Sequence, residues 1–269
     1  MNTTYQEIRV ERHEPHVARI TLAREAQLNA YSMRMCRELC TAIEEFDRDD
    51  TARVLIVTGA GRGFCSGGDI SGADVEHAGY VKLQLGHGRE MRDGMQRVIL
   101  ALTRLDKPTI AMINGPAVAG GLALALACDF RIASASAKLG DTSGKFGLLP
   151  DEGGAWLFPR AMGMERALKM TLLSEVYDAA TAERLGLVTE TVAADALESR
   201  VLEFAHALAK RAPLAVRLAK SMMRRGESLS LEESQGDAVL SVMISNESED
   251  VREGVRAFFE KREPKFQGR

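Results

Sequence analysis

Apolar residues follow two rhythms along the chain, and the change falls near Arg160. Before it, Ile8 to Val10 and Val17 to Leu22 alternate apolar and polar positions as strands do. Arg53-Val-Leu-Ile-Val-Thr58 is a short apolar run rich in β-branched residues and closed by Gly59, the pattern of a buried strand. Thr109 to Ile113 repeats it, and Phe130 to Ala133 is a third instance. Between these runs, Met35, Cys36, Leu39, Cys40, Ile43 and Phe46 recur at helical spacing behind Ser32, a suitable N-cap. Strands separated by helices predict an α/β fold with parallel crossovers. After Arg160 the strand pattern fades. Asp178 is placed to cap a short helix ending at Gly186, Leu197, Val201, Phe204 and Leu208 mark a second, and the C-terminal stretch reads as mostly helical. No Pro- or Ser-rich linker intervenes, so residues 1–200 are expected to form the core and 201–269 a helical region packed on it or on a neighbouring subunit.

Composition narrows the class of protein. With 269 residues, 45% hydrophobic and 27% charged, the chain has the profile of a folded domain rather than a disordered or fibrous one. Lys and Arg number 35 against 38 Asp and Glu, a net charge of −3, so there is no basic excess to neutralise nucleic acid or an anionic membrane. Cys36, Cys40, Cys65 and Cys128 form no CxxC pair and read as buried, reduced thiols. The N-terminal residues lack a signal-like apolar stretch, which makes the cytoplasm the expected compartment. Pro108 to Cys128 carries no charge and is long enough for a membrane span, but Asn114-Gly115-Pro116 and Gly120-Gly121 interrupt it; a strand, a tight loop and a buried helix are expected there.

Three glycine-rich segments fail as familiar motifs. Gly59-Ala-Gly61-Arg-Gly63 has Phe64 where a dinucleotide fingerprint needs glycine. Gly140 to Phe146 has the wrong spacing and residue types for a phosphate loop. Ser66 lacks the glycine two positions earlier that a nucleophile elbow requires. Two similar constructions remain, Phe64-Cys-Ser-Gly67-Gly68-Asp69-Ile70 and Asn114-Gly115-Pro-Ala-Val-Ala-Gly120-Gly121-Leu122, each just after a buried strand. Each leaves backbone N–H groups unshielded. Two such donors converging, one at the start of a helix expected over Gly121 to Ala127, suit the stabilisation of an oxyanion.

With these stretches in view, the sequence resembles the crotonase, or enoyl-CoA hydratase/isomerase, family. The likeness runs through Glu25-Ala-Gln-Leu-Asn-Ala30, Phe64 to Ile70, Lys107 to Asp129, Phe146-Gly-Leu-Leu-Pro150 with Gly153-Gly154, and the tail from Gly254 to Pro264. It implies an α/β spiral of ββα units with a helical C-terminal region, trimers or dimers of trimers, acyl-CoA thioester substrates and an enolate intermediate. No metal or redox cofactor is implied beyond the coenzyme A of the substrate. It places the two oxyanion amides on Gly68 and Gly120.

The hydratases of the family use two glutamates, and at those positions this chain has Ala123 and Ser143. Some isomerases of the family instead place a catalytic aspartate directly after the loop proline, where Asp151 stands; Asp151 is therefore the first acid/base candidate and Glu152 the second. Their ordinary alternatives are a helix cap for Asp151 and a solvent-exposed first-turn acid for Glu152. Ala26, Leu28, Ser66, Asp69, Ile70, Ser143 and Trp156 are expected to line the substrate, with Trp156 alternatively filling the core. Lys261 and Lys265, beside Phe259, resemble tail residues that contact the CoA nucleotide from a neighbouring subunit. His77 and His87 fall in Ser71 to Gly94, the segment that lines the acyl group in the family, and read otherwise as surface histidines. The expected activity is double-bond isomerisation or related enolate chemistry; the alternatives are an atypical hydratase using Asp151 and Glu152, or a non-catalytic binding protein of this fold.

Overall fold

A computed structural model of the chain describes residues 5–70 and 86–269, and of residues 86 and 87 the backbone alone. In chain order it contains β1 (Ile8–His13), β2 (Val17–Leu22), α1 (Met33–Arg48), β3 (Val54–Gly59), α2 (Gly86–Asp93), α3 (Met95–Arg104), β4 (Thr109–Ile113), β5 (Ala117–Val118), α4 (Gly120–Ala127), β6 (Phe130–Ser134) and β7 (Lys138–Gly140). There follow α5 (Gly154–Met162), α6 (Met164–Leu172), β8 (Val176–Asp178), α7 (Ala179–Arg184), β9 (Glu190–Val192), α8 (Leu197–Ala209), α9 (Pro213–Gly226), α10 (Leu231–Asn246) and α11 (Glu249–Glu260).

Six strands form one sheet in the order β1-β2-β3-β4-β6-β9, antiparallel at β1/β2 and parallel beyond, while β5, β7 and β8 form a second, smaller sheet. The uninterrupted apolar runs of β3 and β4 have a direct cause: both faces of the large sheet are covered. Leu55, Val57, Ala111 and Ile113 face the core under α1, α3 and α4. Val54, Ile56, Ile110 and Met112 face Leu197, Val201, Ala205 and Ala209 of α8. Residue 200, the expected edge of the core, lies inside this helix, so by packing α8 belongs with the sheet. The Ser32 cap is present, its hydroxyl accepting the Met35 N–H, and Asp178 caps α7 through Thr181.

Two expectations need correction. Strands do occur after Arg160: β8 and β9 are three residues each, too short to produce a readable alternation, and β9 extends the large sheet by pairing with β6. Asp151 is also not the cap of the helix carrying Trp156, because α5 begins at Gly154 with Gly153 as its N-cap.

The Pro108 to Cys128 stretch divides into β4, a loop, β5 and α4, whose eight residues are all buried. Among the described residues no helix is long and apolar enough to cross a membrane. All four cysteines are buried and free.

Candidate functional site

Both glycine loops leave the C-terminal ends of adjacent parallel strands, β3 and β4, and are fastened to each other by main-chain bonds. Phe64 and Cys65 N–H donate to the Pro116 carbonyl at 3.0 Å, and Val118 N–H donates to Cys65 O at 3.1 Å. The segment before α1 closes over the first loop. Ser66 N–H donates to Leu28 O, Tyr31 N–H to Gly67 O and Asp69 N–H to Tyr31 O. The buried amide of Asn29 reaches the carbonyls of Ala60 and Gly63 at 2.9 and 2.8 Å.

Two glycines are forced by this geometry. Gly67 has φ +97°, and a Cβ there would stand 3.2 Å from Ala119 Cβ and 3.6 Å from the Gly120 nitrogen, so the loops meet. At Gly120 a Cβ would stand 2.5 Å from Glu152 Oε1 and 2.7 Å from Tyr31 Cε1. Ala119, with φ +49° and ψ −125°, is a strained residue that turns the chain into α4 and leaves Gly120 at its first turn. Among the described residues neither the Gly68 nor the Gly120 N–H has an acceptor. Their loops touch, and the dipole of α4 adds to the Gly120 donor; the pair is suited to hold a developing negative oxygen.

Around these donors the expected residues fall into distinct places. Glu152 is buried, contrary to the exposed first-turn acid it resembled, and accepts the Tyr31 hydroxyl at 2.7 Å. Burial, and then the charges of Asp151 and Asp141, raise its carboxyl above the usual Glu range. Asp151 is half-buried, and Gln96 of α3 donates to its carbonyl at 2.8 Å. Ala123 is fully buried in α4, and Ser143 is buried with its N–H on Asp141 Oδ1 at 3.0 Å. Asp69 is bound to Arg24 at 2.6 Å and so fastens the first loop. Ser66 donates its hydroxyl to Gln27 O. The Leu28 carbonyl anchors Ser66, Ala26 is exposed in a single 3-10 turn, and Ile70 is exposed at the edge of the described segment.

Trp156 is 48% exposed with the Arg160 guanidinium 3.8 Å from its ring centre, so it does not fill the core. Lys261 and Lys265 are exposed on the tail; Lys265 borders a groove of about 550 Å³ that shares no lining residue with the glycine loops. His77 and the His87 side chain lie outside the described residues. Among the described residues no three His, Cys, Asp or Glu side chains converge as metal ligands. Sequence reasoning missed Tyr31, Arg24 and Asn29. The first directly follows the Glu25 to Ala30 stretch, and that adjacency was the available signal.

The enoyl-CoA hydratase/isomerase family model matches residues 12–269. The chain belongs to this family. Among relatives of this crotonase-family chain, 1,2-epoxyphenylacetyl-CoA isomerase of Escherichia coli is 35% identical over 95% of the chain and 97% of its own length. The (E)-benzylidenesuccinyl-CoA hydratase of Thauera aromatica is 36% identical over 94% and 96%. The crystal structure of an enoyl-CoA hydratase from Bacillus anthracis superposes with a TM-score of 0.90 at 34% identity, covering 98% of this chain and all of that one. This crotonase-family protein is therefore an enzyme acting on acyl-CoA, with the α/β fold and helical C-terminal region of its relatives.

Proposed function

We propose that the enzyme moves a double bond, or performs related enolate chemistry, in an acyl-CoA whose thioester oxygen is held by the Gly68 and Gly120 amides, with Asp151 carrying the proton. The observation that carries this reading is the pair of N–H groups on touching loops that have no acceptor among the described residues. Removing an α-proton moves the C–H electron pair into the thioester, and charge builds on its oxygen, which two backbone donors stabilise. A carboxylate is then a sufficient base, and as the conjugate acid it returns the proton at a second carbon. Hydration asks for more, a group to activate water as well as a proton source, and Ala123 and Ser143 supply neither carboxylate. No metal or redox group takes part in this scheme.

The isomerase and the hydratase named above act on acyl groups that carry a six-carbon ring, an epoxidised one in the first and a benzylidene group in the second, which extends the proposal to a ring-bearing acyl chain. We further propose a homotrimer or dimer of trimers, since Val239, Val242, Met243, Phe258 and Phe259 are left exposed on α10 and α11.

A panel of enoyl-CoA thioesters followed by mass spectrometry in deuterated water tests the reaction. Deuterium entry at the α-carbon and double-bond migration should outrun hydration of crotonyl-CoA, and Asp151→Asn should lose at least ~10²-fold, the usual contribution of a positioned proton carrier. Robust crotonyl-CoA hydration that survives Asp151→Asn would overturn both the reaction and the role of Asp151.

A further inference from the structure

The wall behind the two glycines holds an acid whose charged form opposes enolate chemistry. Glu152 is 6% exposed, and its Oε1 stands 2.5 Å from the Cβ position of Gly120. Tyr31 donates its phenol proton to that oxygen at 2.7 Å. The Tyr31 ring edge lies 2.7 Å from the same Gly120 position and its hydroxyl 3.3 Å from the corresponding position at Gly68. The Tyr31–Glu152 hydrogen bond thus lies against the open Cα faces of both glycines. The titratable groups facing the carboxyl are Tyr31 before α1, Cys65 in the first glycine loop, Asp141 after β7, and the adjacent Asp151; among the described residues none of these is a cation. Helix α4, Gly-Gly-Leu-Ala-Leu-Ala-Leu-Ala, brings no charge at all.

An enolate oxygen between Gly68 and Gly120 would sit close to this carboxyl, and two negative charges in so dry a place repel strongly. The thioester carbonyl is neutral until the proton leaves, so the repulsion bears on the transition state rather than on substrate binding. We propose that Tyr31 is a positioning residue that fixes the Glu152 carboxyl against Gly120, and that the enzyme turns over with Glu152 as the neutral acid, its ionisation switching the reaction off on the alkaline side. The inference rests on the reading of Gly68 and Gly120 as the enolate donors. A neutral Glu152 keeps Oε1 as the acceptor for Tyr31 and carries its proton on Oε2. Burial and the neighbouring carboxylates favour that form, while the Tyr31 hydrogen bond works in the opposite direction, toward the charged one.

The test is the pH dependence of kcat and KM for an enoyl-CoA that the wild type isomerises, together with α-proton exchange. In the wild type kcat should fall at least ~10-fold along the alkaline limb with KM nearly constant, the signature of an effect confined to the transition state. Glu152→Gln, a neutral group of the same shape, should lose that alkaline limb. Tyr31→Phe keeps the ring and deletes the bond that favours the carboxylate, so the limb should move to higher pH. A folded Glu152→Gln protein inactive at every pH would make Glu152 the proton carrier and overturn the inference; so would a profile superimposed on that of the wild type. A wild type that exchanges no α-proton at any pH sinks the donor reading and this inference with it. Exchange whose pH profile ignores both substitutions sinks the inference alone.

Discussion

The chemistry of the site turns on a few side chains and main-chain atoms whose surroundings differ from what their neighbours in sequence suggest. Gly120, the proposed donor, also leaves the space that Glu152 and Tyr31 occupy. Gly120→Pro removes the N–H and should lower turnover at least ~10²-fold, the usual loss for one oxyanion donor. Gly120→Ala keeps the N–H but sets a Cβ 2.5 Å from Glu152 Oε1 and 2.7 Å from Tyr31 Cε1, so its loss, measured on the same folded material, reads the displaced wall and not the donor. Equal activity of Gly120→Pro and wild type would remove Gly120 from the oxyanion site. Glu152 also leaves a mark on stability. Its carboxyl is raised in the folded protein by burial first, so between the ordinary Glu value and the raised one the folded state holds more protons than the unfolded chain. The stability Glu152 contributes is therefore present at low pH and lost as pH rises through that window. Urea unfolding at a series of pH values should show this decline in the wild type and its absence in Glu152→Gln; identical slopes would contradict it.

At the scale of elements, helices are tied to the sheet by largely buried charges. Asp129, just after α4, accepts Thr109 N–H and its hydroxyl, the Lys220 ammonium at 2.6 Å and the Arg224 guanidinium at 2.6 Å, and so fastens α9 to the core. Asp129→Ala would leave the largely buried Lys220 ammonium without its carboxylate and should destabilise the fold by about 2 kcal/mol, below the scale of breaking a fully buried ion pair; denaturant titration gives the value, and a change under about 0.5 kcal/mol would refute the role. Lys107 acts similarly at the end of α1, donating to the carbonyls of Phe46, Asp47 and Asp49 at 2.9 Å each. Elements of this kind were readable where burial acts along one segment. The runs of β3 and β4 and the Met35 to Phe46 stripe of α1 carry their packing in their own spacing. The orientation of Glu152 does not, because Tyr31, its hydrogen-bond partner, lies 121 positions earlier. An acid beside two glycines at a helix start looks solvated until the segment before α1 is folded over it. Asp69 was hidden in the same way by Arg24.

For the whole molecule, the four C-terminal helices divide in two by packing. α8 covers a face of the sheet, whereas α10 and α11 leave Val239, Leu240, Met243, Ile244, Phe258 and Phe259 each more than half exposed. Such a surface predicts a trimer or hexamer, measurable by light scattering at micromolar concentration, and Phe258→Asp with Phe259→Asp should shift the mass downward. A monomeric wild type would contradict this. The donors proposed to stabilise the enolate are main-chain atoms, set by the path of β3, β4 and their loops. Most side-chain substitutions therefore cannot delete them, and only a proline or a broken backbone can. Sequence drift around such a site is free to exchange proton carriers and acyl-lining residues while the charge-holding device persists, so one ancestral scaffold can diverge into isomerases and hydratases through a few replacements, without first rebuilding its reaction centre.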